Sequence, residues 1–255
     1  MLLPETGRAY LIEYLEGTEI SQRFRERSVI FTLSSRPAPH ALDADATVAE
    51  MRAAMSSWSQ LSCDGEPRPF DFDIVVGNEP LVAGQALDDP TNTNVLEWVS
   101  DPADWPHGEH SIGNTTLTVD LVTGEVLDVD IELNAAHHTW VLDAPGMNEY
   151  DVRNALTHEI GHVLGLDHTE VVDATIHQSV QWGETEDRSL HPDDVAGYCA
   201  VYGSSAPAWP VVEDDSGASG TCSAAPIARS LTSLFLLAIT MAGLLFVGRR
   251  RGTSP

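Results

Sequence analysis

The chain contains no lysine. All 13 of its basic residues are arginine, set against 39 acids, which gives a formal net charge of −26 over 255 residues. Such a surplus repels a phosphate backbone and excludes nucleic acid as a partner. Cysteine is scarce, at three residues, too few for a small disulfide-held scaffold. Aromatic residues make up only 7%, yet hydrophobic residues reach 42%, enough to bury a core, so the chain is not disordered as a whole. The length allows one sizeable domain with tails, or two small ones. The first 27 residues also lack a basic start followed by an unbroken apolar stretch. Arg8, Glu13, Glu16, Glu19, Arg23 and Arg25 interrupt every candidate, so no secretory signal is visible there.

The C-terminal end has what the N-terminal end lacks. Residues 230–248 are 19 consecutive uncharged positions, mostly apolar, followed at once by Arg249, Arg250 and Arg251. As a helix this run spans about 28 Å, close to the thickness of a bilayer core. Arginine clusters stay on the cytoplasmic side, which places the rest of the chain outside. The stretch 203–226 is rich in Ser, Ala, Pro and Gly, carries Glu213, Asp214 and Asp215, and reads as a flexible linker. The sequence Gly220-Thr221-Cys222-Ser223, then small residues and proline, the apolar run and the arginines resembles the C-terminal sorting tails of myxobacterial surface proteins. That resemblance implies processing or anchoring at Cys222; a free thiol before an ordinary membrane anchor is the alternative. The expected division is an N-terminal extension of unclear role at 1–27, a domain at 28–203, a linker at 204–226 and a transmembrane or sorting tail at 227–255. A cell-surface or extracellular location then requires an export signal upstream of Met1. Residues 1–203 alone hold nine arginines against 36 acids, a net charge of −27.

Within 28–203 strand and helix patterns are mixed, which predicts an α+β fold. Residues 28–34 and 70–76 read as strands, as do 95–99, 115–121 and 126–133, with Gly124 marking a turn between the last two. Val48, Met51, Met55 and Trp58 recur at helical spacing over 45–61, with Asp45 as the expected N-cap. Residues 151–165 form a second helix. A third spans 192–202, entered through Pro192 at its first turn.

The chemistry lies in His158-Glu159-Ile160-Gly161-His162-Val163-Leu164-Gly165-Leu166-Asp167-His168. Positions four apart stack on one helix face, so His158 and His162 present two imidazoles to one point. Neutral imidazole suits zinc. Gly165 can take a left-handed conformation, end the helix and bring His168 back as a third ligand. Three protein ligands leave tetrahedral zinc one open position, as a catalytic site requires. Glu159 is not needed as a ligand and is free to act as general base on a zinc-bound water whose pKa is lowered to roughly 7. Glu159 can then return that proton to the leaving amine while zinc stabilises the oxyanion.

This extended motif resembles that of the metzincin metallopeptidases, and its surroundings are similar to the matrixin branch, here of a bacterial type. The likeness runs from about Ser28 to Gly203. It includes the Ala54-Met55-Ser56-Ser57-Trp58 helix, the Gly124-Glu125-Val126-Leu127-Asp128-Val129-Asp130-Ile131 strand and the closing Leu190-His191-Pro192-Asp193-Asp194-Val195-Ala196-Gly197 helix with Tyr202-Gly203. The resemblance implies a twisted mixed sheet with an active-site helix beneath it, a C-terminal helix, and protein or peptide substrates lying extended along an edge strand above the zinc. It implies His158, His162 and His168 as zinc ligands and Glu159 as the base of a zinc endopeptidase. The sequence departs from the family where a methionine turn is expected beneath the zinc: Ile176 stands there, followed by His177 and Gln178. Isoleucine keeps an apolar floor of similar volume. The two residues after it alter the wall of the neighbouring specificity pocket.

Other residues carry weaker signals. Asp128, Asp130 and Glu132 alternate along one strand, a row that suits calcium or a solvated face. No histidine set matches a second zinc. His137 and His138 follow that strand as bystanders near the cleft, and Cys63 and Cys199 are a candidate disulfide, which an extracellular location would permit. Two rival readings are a surface binding protein on a metzincin scaffold that has lost activity, and an intracellular membrane-anchored protein whose metal is structural. Oligomeric state, latency mechanism and substrate preference are not written in the sequence.

Overall fold

A computed structural model of the chain describes residues 9–39, 42–89 and 91–210, together with the backbone of Ile239–Thr240. The architecture is α+β. The elements are β1 (Leu11–Ile12), β2 (Ser28–Leu33), α1 (Ala44–Ser59), β3 (Ser62–Cys63), β4 (Glu66–Pro67), β5 (Asp71–Val76), β6 (Val95–Val99) and β7 (Gly113–Val119). They continue with β8 (Val126–Asn134), β9 (Thr139–Val141), β10 (Glu149–Asp151), α2 (Val152–Val163), β11 (Leu166–Asp167), α3 (Pro192–Tyr202) and β12 (Ile239–Thr240). The main sheet is mixed, in the order β12-β7-β8-β6-β2-β5. Strands β5, β2, β6 and β8 run parallel, and β7 runs antiparallel to β8 from Gly113↔Leu133 to Val119↔Val126.

Alternation along the strands decides what each face meets. In β8, Val129, Ile131 and Leu133 are fully buried in the core that α1 and α2 complete. The intervening Asp128, Asp130 and Glu132 point to the other face, as period-two geometry demands. That face is covered: Gly84 N–H and Val95 N–H donate to Asp130 at 2.6 and 2.7 Å, and Asn92 Nδ2 donates to Asp128 at 3.1 Å. Two carboxylates thus hold the segment leading into β6 down on the sheet, and a solvated face is replaced by a buried one.

Helix boundaries differ from the sequence expectation in instructive ways. Asp43, rather than Asp45, caps α1: its backbone is extended and its side chain accepts from Ala46 N–H at 2.8 Å, while Asp45 lies inside the first turn. Met51, Ala54, Met55 and Trp58 form the buried stripe of this helix, and Trp58 Nε1–H donates to Thr157 O at 2.9 Å, which locks α1 onto α2. Strand β7 starts two residues earlier than its pattern suggested and ends at Val119. Asp120 Oδ1 accepts from the backbone of Val122 and Thr123 and turns the chain there. At the end of β5 the chain leaves the core, where Val76 is 63% exposed.

The segment before Ser28 is packed onto this domain. Strand β1 pairs antiparallel with β11, Glu13 N–H donates to Gly165 O at 2.9 Å, and the backbones of Arg23 and Glu125 form an isolated parallel β-bridge. Cys63 and Cys199 are joined, with Cα atoms 5.4 Å apart, and the bond fastens the end of α1 to α3 across 136 residues. Arg23 and Arg25 each hold a guanidinium 4.5 Å from the Trp209 ring, just where the continuous described stretch ends. Among the described residues no helix is long and apolar enough to cross a membrane. The expected tail segment at 230–248 lies outside them apart from the backbone of Ile239–Thr240, as do Cys222 and most of the expected linker.

Candidate active site

Helix α2 carries two of the three histidines and runs through the core, with only Arg153 among its twelve residues not buried. Asp151 starts it by accepting from Asn154 N–H at 2.8 Å, and Arg188 fixes that cap from outside with a bidentate grip on the same carboxylate. Gly165 ends it with φ +81°, and a Cβ there would stand 2.2 Å from Gln22 O, so both the turn and the close approach of the N-terminal segment require glycine. The chain then passes through β11 and delivers His168 to the same point.

The three Nε2 atoms form a nearly equilateral triangle, with sides of 3.1 Å for His158–His162 and 3.2 Å for both pairs involving His168. Their other nitrogens explain the orientation. His158 Nδ1–H donates to Thr175 O and His162 Nδ1–H to Leu166 O, each at 2.7 Å. Those donations leave the Nε2 lone pairs of both rings facing inward. Converging lone pairs at this distance repel unless a cation lies between them. Ligand atoms held ~2.0–2.1 Å from a tetrahedral zinc stand roughly 3.3–3.4 Å apart, so the triangle fits that ion. Burial keeps the rings neutral: it pushes His162 down to about 4 and His168 to about 3, and His158 lies well below its ordinary value for the same reason. Among the described residues this is the only group of three or more His, Cys, Asp or Glu whose ligand atoms come together closely enough to hold an ion.

Glu159 is buried beside the triad. Thr115 Oγ1–H, from β7, donates to Glu159 Oε2 at 2.7 Å. Two residues earlier on the same strand face, a Cβ at Gly113 would lie 2.4 Å from Glu159 Oε1. Burial pushes this carboxyl up to about 7, and the Thr115 bond pulls it partly back.

The floor beneath the helix is Ile176, 2% exposed, with Cδ1 only 2.0 Å from where a Cβ at Gly161 would be. An apolar residue therefore fills the position from which methionine is missing. Asp194, on α3, holds this turn: it accepts from Thr175 N–H at 3.0 Å, Ile176 N–H at 3.1 Å and His191 N–H at 2.7 Å. Asp194 thereby fixes Thr175, whose carbonyl orients His158. The spacing of Asp194 three residues after His191 is what the sequence offers toward this role.

The remaining candidates do not join the triad. His138 Nε2 lies 3.2 Å from Ser111 O, with its ring against Tyr150, and His137 Nδ1 lies 3.1 Å from Asn134 Oδ1. Glu132 pairs with His107 at 3.0 Å, while Asp128 and Asp130 are spent on the covering segment. The expected calcium row is thus three separately engaged carboxylates rather than an assembled oxygen cage. Thr115, Gly113, Asp194 and strand β1 were not singled out as site residues by the sequence, because each acts through a partner beyond the reach of local spacing, 18 residues away for Asp194 and Ile176 and 44 for Thr115 and Glu159.

Comparison with known proteins agrees with this geometry over part of the chain. The matrixin family model matches residues 106–203. Metalloendoproteinase 1-MMP of Arabidopsis thaliana is 39% identical over 77 residues, 29% of this chain and 21% of that protein. Matrilysin of Rattus norvegicus is 45% identical over 47 residues, 18% of each chain. A probable matrix metalloproteinase 095L of Invertebrate iridescent virus 3 is 32% identical over 90 residues, 34% of this chain and 24% of its own. The matched stretches thus span a quarter or less of these relatives. The likeness is to matrixins, and the stretch matched by the family model holds His158, Glu159, His162 and His168 together.

Proposed function

We propose that the chain is a zinc-dependent endopeptidase acting on protein or peptide substrates. The observation that carries this reading is the convergence of three neutral imidazoles on one point beside a buried carboxyl group held by Thr115. His158, His162 and His168 hold the metal. Zinc, when bound, supplies a Lewis acid that acidifies water and polarises a carbonyl. Glu159 accepts the proton of the attacking water and hands it to the leaving amine, so that the amide nitrogen departs protonated. The buried floor at Ile176 and the Asp194 clasp keep the ligand helix and its turn in register. The likeness of residues 106–203 to matrixins supports the same assignment.

The wider organisation belongs to the proposal as well. Residues 28–203 are the catalytic domain, with 9–27 folded onto it, followed by a linker at 204–226 and a membrane or sorting tail at 227–255. The Cys63–Cys199 bond supports an oxidising, extracellular or cell-surface setting.

The test is casein cleavage by the full chain loaded with zinc, beside Glu159→Gln at equal zinc content. We expect cleavage that a chelator abolishes and zinc restores, and a loss of at least about a hundredfold in the variant. Two zinc-loaded proteins that both fail to cleave would contradict the peptidase reading and favour a binding scaffold.

A further inference from the structure

We infer that Thr115 is a positioning residue for the general base, and that β7 is shaped at two consecutive inward positions to seat one carboxylate. The inference rests on the peptidase reading above and concerns how Glu159 is aimed. In β7, residues 113 and 115 share a face, because side chains alternate along a strand. Both meet Glu159. Thr115 gives it a hydroxyl donor at 2.7 Å to Oε2, and Gly113 gives it room, since any side chain there would strike Oε1 at 2.4 Å. The intervening Asn114 is turned away and donates instead to Thr116 Oγ1 at 3.0 Å. One oxygen of the carboxylate is therefore occupied and the other is left beside the space that glycine opens.

This division matters because a glutamate on a helix has three rotatable bonds, and an undirected carboxylate wastes most of its conformers on geometries that cannot take a proton. A charge-assisted bond to one oxygen selects a narrow set and presents the second oxygen for proton transfer. Thr115 is itself held: it is 1% exposed, and the same hydroxyl lies 3.4 Å from the Glu159 carbonyl oxygen. A β-branched side chain in a strand has restricted χ1, so the donor is pre-aimed before substrate arrives. Thr115 does not touch the three histidines' ligand atoms in any hydrogen bond of the structure, so its effect should separate cleanly from metal binding.

The experiment compares the full zinc-loaded chain with Thr115→Val, Thr115→Ser and Gly113→Ala. Casein cleavage gives kcat and KM, metal analysis gives zinc content, and calorimetry gives the affinity for acetohydroxamate, a zinc chelator whose proton the base accepts. For Thr115→Val, which keeps the shape and removes the donor, kcat is expected to fall about tenfold. KM should stay within about twofold, zinc content should be unchanged and hydroxamate should bind several-fold more weakly. Thr115→Ser, which keeps the donor, should restore both kcat and hydroxamate affinity. Gly113→Ala should lower kcat at full zinc content by displacing Glu159, and it decides the matter if Thr115→Val does not fold. The inference is overturned if Thr115→Val matches the unsubstituted chain in kcat and hydroxamate affinity, or if Thr115→Ser is as impaired as valine. Undiminished cleavage by Gly113→Ala would overturn it too. Failure of the peptidase reading looks different: the unsubstituted zinc-loaded chain itself would not cleave, and the inference would fall with it.

Discussion

Two rows of potential metal ligands sit on neighbouring elements, and they end differently. His158 and His162 donate Nδ1–H to backbone carbonyls, and their Nε2 atoms meet that of His168 within 3.2 Å. Asp128, Asp130 and Glu132 lie as regularly, on one face of β8, yet they turn their oxygens outward to separate partners: Asn92, the amides of Gly84 and Val95, and His107. Regular spacing put each set on one face. What each set does was decided by where its remaining hydrogen-bonding capacity went. In the first row carbonyls occupy the outer nitrogens of His158 and His162 and leave the Nε2 atoms facing one another, whereas in the second the carboxylate oxygens are taken by two amides, an asparagine and a histidine.

The sharpest way to break this contrast is to remove one member from each row. His162→Ala should cost the chain its tightly held zinc and, with it, casein cleavage by at least about a hundredfold, whereas Asp130→Ala should leave zinc content unchanged. The second effect is one of stability. Asp130→Ala strands two amides on the covered face of the sheet and should lower the unfolding free energy by about 2–4 kcal/mol in urea titrations, while His162→Ala in metal-free protein, which strands only the Leu166 carbonyl, should lower it less.

A smaller effect sharpens the contrast by its sign. Burial pushes Asp130 up to about 7 from 3.8, so the folded chain holds a proton that the unfolded chain releases between those values. Its contribution is complete below about 3.8 and is lost as pH rises toward 7. Burial pushes His162 down to about 4 from 6.5, so the unfolded chain takes up a proton that the folded chain refuses. That contribution is complete above 6.5 and is lost as pH falls toward 4. In metal-free protein, Asp130→Asn should therefore gain melting temperature relative to the unsubstituted chain as pH is raised from 4 to 7. His162→Gln should lose relative to it over the same range.

How much of this was legible in the sequence follows from the range of each interaction. The triad was legible because a four-residue step and one glycine fix it locally. Helix α3 was read at its true ends, Pro192 and Tyr202, because proline and the His191–Asp194 capping box lie within one turn of each other. The acid row's shared face was legible too, but its cover was not, since Gly84 is 46 residues from Asp130. The same distance effect hid Thr115, an unremarkable strand threonine whose partner is 44 residues away. Strand β1 escaped notice because two residues carry no period, and only pairing with β11 makes them a strand. The cap of α1 was misplaced by two residues because Asp43 and Asp45 both carry a capping oxygen, and only the backbone angle decides which one stands outside the helix.

The central claim is that the histidine row, and not the carboxylate row, is a metal centre. It is tested most directly by zinc analysis of the purified full chain after exhaustive dialysis, beside its His158→Ala/His162→Ala double variant and its Asp128→Asn/Asp130→Asn double variant. The structure predicts one zinc per chain in the unsubstituted and asparagine proteins and none in the alanine protein. Zinc retained by the alanine protein, or lost only from the asparagine protein, would contradict it.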